Sequence, residues 1–202
     1  MAFPDPYVYP GTHTLQNKLG IRDPERLATV EASITAVALA RLGQRRLDGS
    51  YDVSHLRAFH RAIFSDIYTW AGELRTVRIH KVGASFGWPE HIDPYLTGQL
   101  SGLTSENYLH DLEQDRFTDR LAYYLAEVNA AHPFREGNGR TQRAFFGQLA
   151  RDAGYEIRWD RLDPARNIEA SAASLNGDNA KLRALMHELV EPGRADGGPS
   201  QR

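Results

Sequence analysis

Residues 132–143 read HPFREGNGRTQR and form the most informative stretch of the chain. The stretch contains a histidine, an acid, three arginines and an asparagine that lies between two glycines, all within twelve residues. Charged and polar residues of these types are seldom buried without partners. Pro133 disfavours helical geometry at the residue before it, so a preceding helix must end here. A new helix can begin near Asn138. The stretch therefore predicts two helices joined by a polar loop.

The start of the second helix is predicted to bind an anion. Its first backbone N–H groups lack partners within the helix, and the positive end of the helix dipole lies there. Gly137 and Gly139 let a ligand approach the backbone closely. Arg140 and Arg143 are three residues apart, so they project from one face, and guanidinium groups bind phosphate oxygens bidentately. We therefore predict a phosphate site.

Two residues before this helix add chemistry to the predicted phosphate site. Glu136 would repel bare phosphate, but it is accounted for if Mg²⁺ lies between them. His132 can accept a proton near neutral pH, and Phe134 is predicted to anchor the loop in the core. Taken singly, these residues also fit a structural loop and a solvated arginine face. Their combination favours nucleotidyl or phosphoryl transfer.

Helical periodicity predicts further helices on both sides of the loop. Asp23 and Pro24 form a start signal for a helix that runs to Gly43, and Ser54 is predicted to cap the next helix. The predicted inner face of the first helix consists of Leu27, Val30, Ile34, Val37 and Leu42. Other helical stretches begin at Pro89 and extend over residues 116–131, 138–154, 164–175 and 179–190.

The stretch LRTVRIHKV, residues 74–82, alternates polar and apolar side chains and is the best strand signal in the chain. Gly83 and the following SFGW complete a predicted β-hairpin. The fold class is therefore all-α with one hairpin. We expect an extended lead-in over residues 1–20, one domain over 21–191 and a disordered tail over 192–202.

The composition excludes several classes of protein. A formal net charge of −2 over 202 residues gives no general basic field, so direct nucleic-acid binding is not expected. The chain has no cysteine, which rules out disulfides and thiolate chemistry. No apolar run approaches the roughly 18 residues of a membrane helix, and no secretory signal opens the chain. We expect a cytoplasmic protein.

The loop stretch resembles the signature of the Fic family, H-P-F-x-(D/E)-G-N-G-R-x-x-R, and matches every defined position. Two other segments are also similar to this family. YPGTHTLQNKLGIRDPERLATVE (9–31) resembles the lead-in of small bacterial Fic proteins, and DIYTWAGELRTVRIHKVGASFGWPEHI (66–92) resembles the segment that carries the target-binding flap. The resemblance spans residues 7–190 and implies a Fic-type helical bundle, with the flap at about 74–88.

The resemblance implies AMP transfer from ATP to a hydroxyl group of a target protein, with release of pyrophosphate. His132 would then deprotonate the hydroxyl, and Glu136 would hold Mg²⁺ on the α- and β-phosphates. The Asn138 side chain would lie near the α-phosphate, and Arg140 would neutralise the β- and γ-phosphates. The implied phosphate-binding residues are Gly137, Asn138, Gly139, Arg140 and Arg143.

The resemblance also implies that the hairpin binds the target by adding a strand to it, a common mode of peptide recognition. The implied docking residues are Val77, Arg78, Ile79, His80 and Lys81. Lys81 and Phe86 are further candidates for contact with the nucleotide. A solvated lysine and a core phenylalanine are the alternatives for these two residues.

Many Fic enzymes are inhibited by a helix with the motif (S/T)-x-x-x-E-(G/N), whose glutamate pairs with the arginine equivalent to Arg143. Only Glu73 has a serine or threonine four residues before it, and Leu74 follows where the motif requires glycine or asparagine. The resemblance then implies a toxin that is inhibited by a separate antitoxin carrying this helix. Type II topoisomerases are the target class associated with such toxins.

Four alternatives remain open from the sequence. A Doc-like phosphotransferase uses the same fold, although its altered glycine loop differs from the intact loop here. Phosphocholine transfer is also known in the family. A non-catalytic module that binds a nucleotide or a partner would not need His132. A host-directed effector cut from a larger secreted protein would carry a delivery domain, and no such domain is evident in this chain.

Overall fold

The computed structural model describes residues 5–81 and 84–193, with the backbone but not the side chains of residues 80, 81, 84 and 85. The described residues form α1 (Pro24–Gln44), α2 (Val53–Phe64), α3 (Pro89–Ser105), α4 (Gln114–Ala131), α5 (Asn138–Asp152), α6 (Pro164–Leu175) and α7 (Ala180–Leu189). Four short strands are β1 (His80–Lys81), β2 (Ala84–Ser85), β3 (Tyr155–Ile157) and β4 (Val190–Pro192). The all-α class with a hairpin is confirmed.

Helix α4 lies at the centre of the fold and packs against α3, α5, α6 and α7. Its apolar side chains sit in the main hydrophobic core together with those of α2, α3 and α5. Helix α3 begins at Pro89 as predicted, and its Ile92, Leu96, Leu100 and Leu103 are all buried. This packing brings the end of α4 and the start of α5 to the same side of the bundle, where the predicted polar loop joins them.

The predicted inner face of α1 is partly wrong. Val37 is 53% exposed, whereas the buried residues of α1 are Leu27, Glu31 and Thr35. The buried residues are thus four positions apart, and two of them, Glu31 and Thr35, are polar. Hydropathy alone assigns such side chains to solvent. The cap of α2 also differs from the prediction, since Asp52 and not Ser54 accepts a hydrogen bond from the His55 N–H at 2.8 Å.

The hairpin is shorter than predicted. Among the described residues of the hairpin, only His80–Lys81 and Ala84–Ser85 are paired strands, in antiparallel register, and residues 74–79 are not strand. The predicted turn at Gly83 lies outside the described residues. The physical reason for the short strand is that the Arg75 N–H donates to the carbonyl of Pro133 at 2.9 Å, so this backbone binds the loop after α4 and not a neighbouring strand.

A second antiparallel pair of strands was not predicted. Strand β3 pairs with β4, and Tyr155 lies opposite Pro192. The Gly193 N–H also donates to the carbonyl of Gly154 at 2.8 Å. Residues 192 and 193, predicted to begin a disordered tail, are therefore part of the fold. Residues 194–202, the rest of that predicted tail, lie outside the described residues.

The described part of the N-terminal lead-in packs on the domain. Tyr7 is 9% exposed and meets the ring of Trp70 edge-on at 5.4 Å between centroids. The Thr76 N–H donates to the Tyr7 hydroxyl at 3.1 Å, so the lead-in contacts the start of the flap segment. Among the described residues, no helix is long and apolar enough to cross a membrane.

Candidate functional site

His132 ends α4 in the left-handed conformation, with φ 44° and ψ 62°. Its N–H still donates to the carbonyl of Val128 at 3.1 Å, so the helix turns sharply at this residue. The side chain is 7% exposed, and its ring stacks on Phe86 with 3.9 Å between centroids. Phe86, one of the two candidate nucleotide contacts, therefore packs on the predicted base and is itself 5% exposed.

The loop after His132 is held closed by its own side chains. Phe134 is 1% exposed and stacks on His60 at 3.9 Å. The Asn138 side chain accepts from the Phe134 N–H at 2.9 Å and donates to the Phe134 carbonyl at 2.7 Å. The Asn138 side chain thus fixes the loop to the start of α5 through two hydrogen bonds. The predicted contact of Asn138 with a phosphate stays a prediction.

His60 is a site residue that the sequence reasoning missed. It is fully buried, and burial lowers its pKa to about 4, so the ring is neutral at neutral pH. Its Nδ1 accepts from the Gly72 N–H at 2.7 Å, which leaves Nε2–H to donate to the Glu136 carbonyl at 3.1 Å. His60 on α2 therefore holds the loop in place through its hydrogen bond to Glu136 and its stacking on Phe134. Its position on α2 carries no sequence signal for this role.

The start of α5 has the features of an anion site. Gly137 is the N-cap residue, with φ 78°, and the Glu136 carboxylate accepts from the Gly137 N–H at 2.8 Å. A Cβ on Gly139 would meet only the Arg143 side chain, at 3.4 Å, so the backbone is open to a ligand there. The helix supplies N–H groups that lack partners within it.

Glu136 fits the Mg²⁺ that the family resemblance implies. Its side chain is 45% exposed beside the open start of α5. Within residues 5–81 and 84–193, no group of three or more acids or histidines could hold a metal ion by itself. A single carboxylate suits Mg²⁺ that arrives with nucleotide phosphates, because Mg²⁺ keeps several waters and needs few protein ligands.

Arg140 is held by two carboxylates, one on α1 and one on the loop before α5. Its guanidinium contacts the Glu31 carboxylate of α1 at 2.5 Å and that of Glu136 at 3.5 Å. It also lies 4.7 Å above the ring of Phe64. The Tyr68 hydroxyl donates to Glu31, and burial together with Glu31 raises the pKa of Tyr68, so the phenol stays protonated. Glu31 was not predicted to belong to the site.

Arg143 differs from Arg140 in its surroundings. It is half-buried, and burial, together with the nearby Arg140 cation, lowers its pKa. No carboxylate in the described part of the chain pairs with it. An unpaired, partly desolvated guanidinium is costly unless an anion binds to it. Arg143 is therefore well placed for an external negative charge.

Arg143 lines two cavities. The first, of about 220 Å³, is lined by His132, Gly139 and side chains of α4 and α6. It also contains Gln142, which is 8% exposed and whose Nε2 has no hydrogen-bond partner among the described residues. The second cavity, of about 240 Å³, is bordered by Arg140, Leu39 and Leu42.

Two of the predicted docking residues of the flap contact residues that in turn contact His132, namely Arg75 and Phe86. Val77 offers its carbonyl to Arg75 at 2.7 Å, and the Arg78 guanidinium stacks 3.9 Å above the ring of Trp88. The Ile79 carbonyl accepts from the Phe86 N–H at 3.5 Å. His80 and Lys81 have their backbone in β1, but their side chains lie outside the described residues.

The ion pair between Glu31 and Arg140 should stabilise the fold. We expect Glu31→Ala to lower the free energy of unfolding by about 2–3 kcal/mol, because it leaves a mostly buried guanidinium and the Tyr68 hydroxyl without their acceptor. Urea unfolding measures this loss. The matched control is Glu25→Ala at the exposed start of the same helix, expected to change stability by less than about 0.5 kcal/mol. Equal effects of the two substitutions would contradict the expectation.

Comparison with known proteins gives consistent matches. The model of the Fic/DOC family matches residues 50–150. Protein adenylyltransferase VbhT of Bartonella schoenbuchensis is 40% identical over 90% of this chain, which spans only 38% of that protein. The probable protein adenylyltransferase y4lH of Sinorhizobium fredii is 38% identical, and the alignment covers 94% of this chain and 97% of that one.

Solved structures show the same architecture. The BepC effector of Bartonella tribocorum, solved with bound AMPPNP, has a TM-score of 0.86 and 25% identity, covering 93% of this chain and 97% of that chain. The N-terminal Fic domain of a Bep effector from Bartonella quintana has a TM-score of 0.85 and 28% identity, covering 93% and 92% of the two chains.

Proposed function

The chain belongs to the Fic/DOC family, and from this premise we propose that it is a protein adenylyltransferase acting through a single domain over residues 21–191. In the proposed reaction, the oxygen of a hydroxyl side chain on a target protein attacks the α-phosphorus of ATP. The bond from that phosphorus to the β-phosphate oxygen breaks, and pyrophosphate leaves. The hydroxyl proton passes to His132. Relatives that align over most of both chains are named probable protein adenylyltransferases.

The strongest support comes from Arg143 and His132, which border one cavity of about 220 Å³. A cation that pairs with no carboxylate among the described residues lies there beside a potential base, and apolar side chains of α4 and α6 also line the cavity. ATP matches these features, since its phosphates carry negative charge and its base is flat and largely apolar. The bound AMPPNP in the BepC structure is consistent with this proposal.

Different residues of the site would bind the phosphates, neutralise their charge and accept the proton. The N–H groups of Asn138 and Gly139 lie at the positive end of α5 and suit phosphate oxygens, whereas the Gly137 N–H donates to the Glu136 carboxylate. Arg140 and Arg143 would neutralise charge that develops on the leaving pyrophosphate. Mg²⁺ held by Glu136 and the nucleotide would add further neutralisation of the phosphates. His132 is held in one orientation by its stacking on Phe86.

The position of the label in ATP tests this function. We would incubate a bacterial lysate with the protein, Mg²⁺ and ATP labelled either at the α-phosphate or at the γ-phosphate, and identify labelled proteins by mass spectrometry. The expected result is an AMP adduct that carries only the α-label. Transfer of the γ-label alone would replace this proposal with a Doc-like phosphotransferase. Neither label on any protein, after removal of bound partners, would favour a binding module.

The same proposal extends to a toxin controlled by a separate antitoxin. The second cavity lies between α1 and α5 and combines apolar Leu39 and Leu42 with Arg140, Arg143 and Arg151. Such a groove suits an amphipathic helix that carries a glutamate. We propose that a partner helix with the (S/T)-x-x-x-E-(G/N) motif binds here and places its glutamate on Arg143. A cytoplasmic type II topoisomerase is the proposed target class.

Growth of a bacterial host provides the test of the toxin role. Expression of the chain alone should arrest growth, and expression of His132→Asn should not. A synthetic helical peptide with the motif S-x-x-x-E-G should also inhibit labelling of the target in a lysate, because its carboxylate competes with phosphate for Arg143. The control peptide has glutamine in place of that glutamate. Ordinary growth during high soluble expression of the active chain would count against this role.

A further inference from the structure

Arg75 lies at the base of the flap and is only 2% exposed. Its guanidinium donates to four backbone carbonyls. Two of them belong to the end of α4, namely His132 at 2.8 Å and Ala131 at 3.2 Å. The other two belong to the two arms of the flap, namely Val77 and Gly87, both at 2.7 Å. One side chain therefore joins three segments of the chain.

The charge of Arg75 is balanced by carbonyl groups. In the described part of the chain, no ion pair joins it to a carboxylate. Burial lowers its pKa, but a guanidinium stays protonated in proteins. The carbonyls of Ala131 and His132 form the C-terminal end of α4, where the helix dipole is negative and favours a cation. The buried charge is thus compensated by the end of the helix that carries the predicted base.

His132 needs such support, because it adopts the left-handed conformation, with φ 44°. A non-glycine residue with positive φ is uncommon, and it persists when surrounding contacts hold it. Arg75 holds the carbonyl of His132, and Phe86 of the flap stacks on its ring at 3.9 Å. The Arg75 N–H also donates to the carbonyl of Pro133, the next residue, at 2.9 Å. Residues of the flap segment thus contact both the backbone and the imidazole ring of His132.

We propose that Arg75 is a positioning residue that links the two arms of the flap and His132 into one unit. A target strand that docks on the flap is then held in a fixed position relative to the base that takes its proton. This inference rests on the proposed AMP transfer for its kinetic consequence. The structural link between the flap and His132 can be tested without any activity.

Hydrogen exchange tests the structural link. In Arg75→Lys, an ammonium keeps the charge but cannot reproduce the planar set of donors. We expect amide exchange to rise in parallel in residues 76–79, 84–88 and 131–136, with α5 unchanged. The matched control is Arg57→Lys, which alters another arginine that donates to a backbone carbonyl, that of Gly72 at 2.7 Å, but has Glu73 as its charge partner. Faster exchange in the flap alone would overturn the proposal.

Kinetics test the consequence for the reaction. We expect Arg75→Lys and Arg75→Ala to slow the maximal rate of AMP transfer to the acceptor protein by about 100-fold, a typical cost of misplacing a reacting group by about 1 Å. The dissociation constant for ATP should change by less than about twofold, because the phosphate site belongs to α5. Added guanidinium ion should restore part of the rate in Arg75→Ala, with Arg57→Ala unaffected.

The outcomes separate this inference from the proposed function. If the wild-type protein transfers no AMP, the proposed function fails, and hydrogen exchange alone decides the link between the flap and His132. If both variants keep the wild-type rate, the positioning role is wrong even where AMP transfer is established. Equal losses of ATP binding and of rate, together with a lowered melting temperature and no rescue by guanidinium, would indicate general damage and also overturn the proposal.

Discussion

Replacing His132 with asparagine is expected to slow AMP transfer by about 10³-fold, within the range that a general base contributes. Asparagine tolerates the left-handed backbone of this position, so the loop should keep its conformation. The substitution removes the ring nitrogen that accepts the hydroxyl proton. The rate of α-labelled AMP incorporation into the acceptor protein measures the effect.

The control for this prediction is nucleotide binding. The dissociation constant for ATP in the presence of Mg²⁺ should change by less than about twofold, because the phosphate-binding groups lie on α5 and its N-terminus. His132→Ala should lose activity to the same extent, with an additional loss of stability from alanine in a left-handed conformation. A loss of less than tenfold in His132→Asn would show that another group accepts the proton.

Replacing Gly137 with alanine is expected to lower the free energy of unfolding by about 3 kcal/mol or more, since it combines positive-φ strain with overpacking. A Cβ at this position would lie 2.1 Å from Cζ of Phe64, far inside van der Waals contact. The backbone also has φ 78°, which alanine adopts only with strain. Phe64 cannot move easily, because it is fully buried. Urea unfolding of the variant measures the loss.

Gly139→Ala is the matched control for Gly137→Ala. Its Cβ would meet only the end of the Arg143 side chain, at 3.4 Å, so stability should change by less than about 0.5 kcal/mol. In a Phe64→Leu background, the ring atoms that clash are gone, and the cost of Gly137→Ala should fall by at least about 1 kcal/mol. A cost that is unchanged by Phe64→Leu would place the strain in the backbone alone.

Glycine is required at position 137 for two reasons, and the sequence indicates only one of them. The pattern predicts glycine there because a ligand must approach the backbone. The structure adds a second reason, the ring of Phe64 packed under the loop. A packing contact between α2 and the start of α5 leaves no mark in either segment taken alone. The sequence predicted the approach of a ligand to the Gly137 backbone but not the packing of Phe64 against it.

The sequence by itself determined the helix, polar loop and helix of residues 116–152, because helix ends, proline effects and apolar spacing act between near neighbours. It also determined the family, through the twelve residues of the loop. These features depend on local rules, and they appeared where the patterns placed them.

Only the tertiary structure decided which polar side chains support the site. In the sequence, Arg75 was one position in a predicted alternating strand, and Glu31 was not among the predicted inner-face residues of α1. Each is buried because its partner comes from a distant part of the chain, 57 residues away for Arg75 and His132 and 109 for Glu31 and Arg140. A buried charge is stable only when its compensating groups are in place. Hydropathy and local spacing cannot show those groups, since folding alone brings them together.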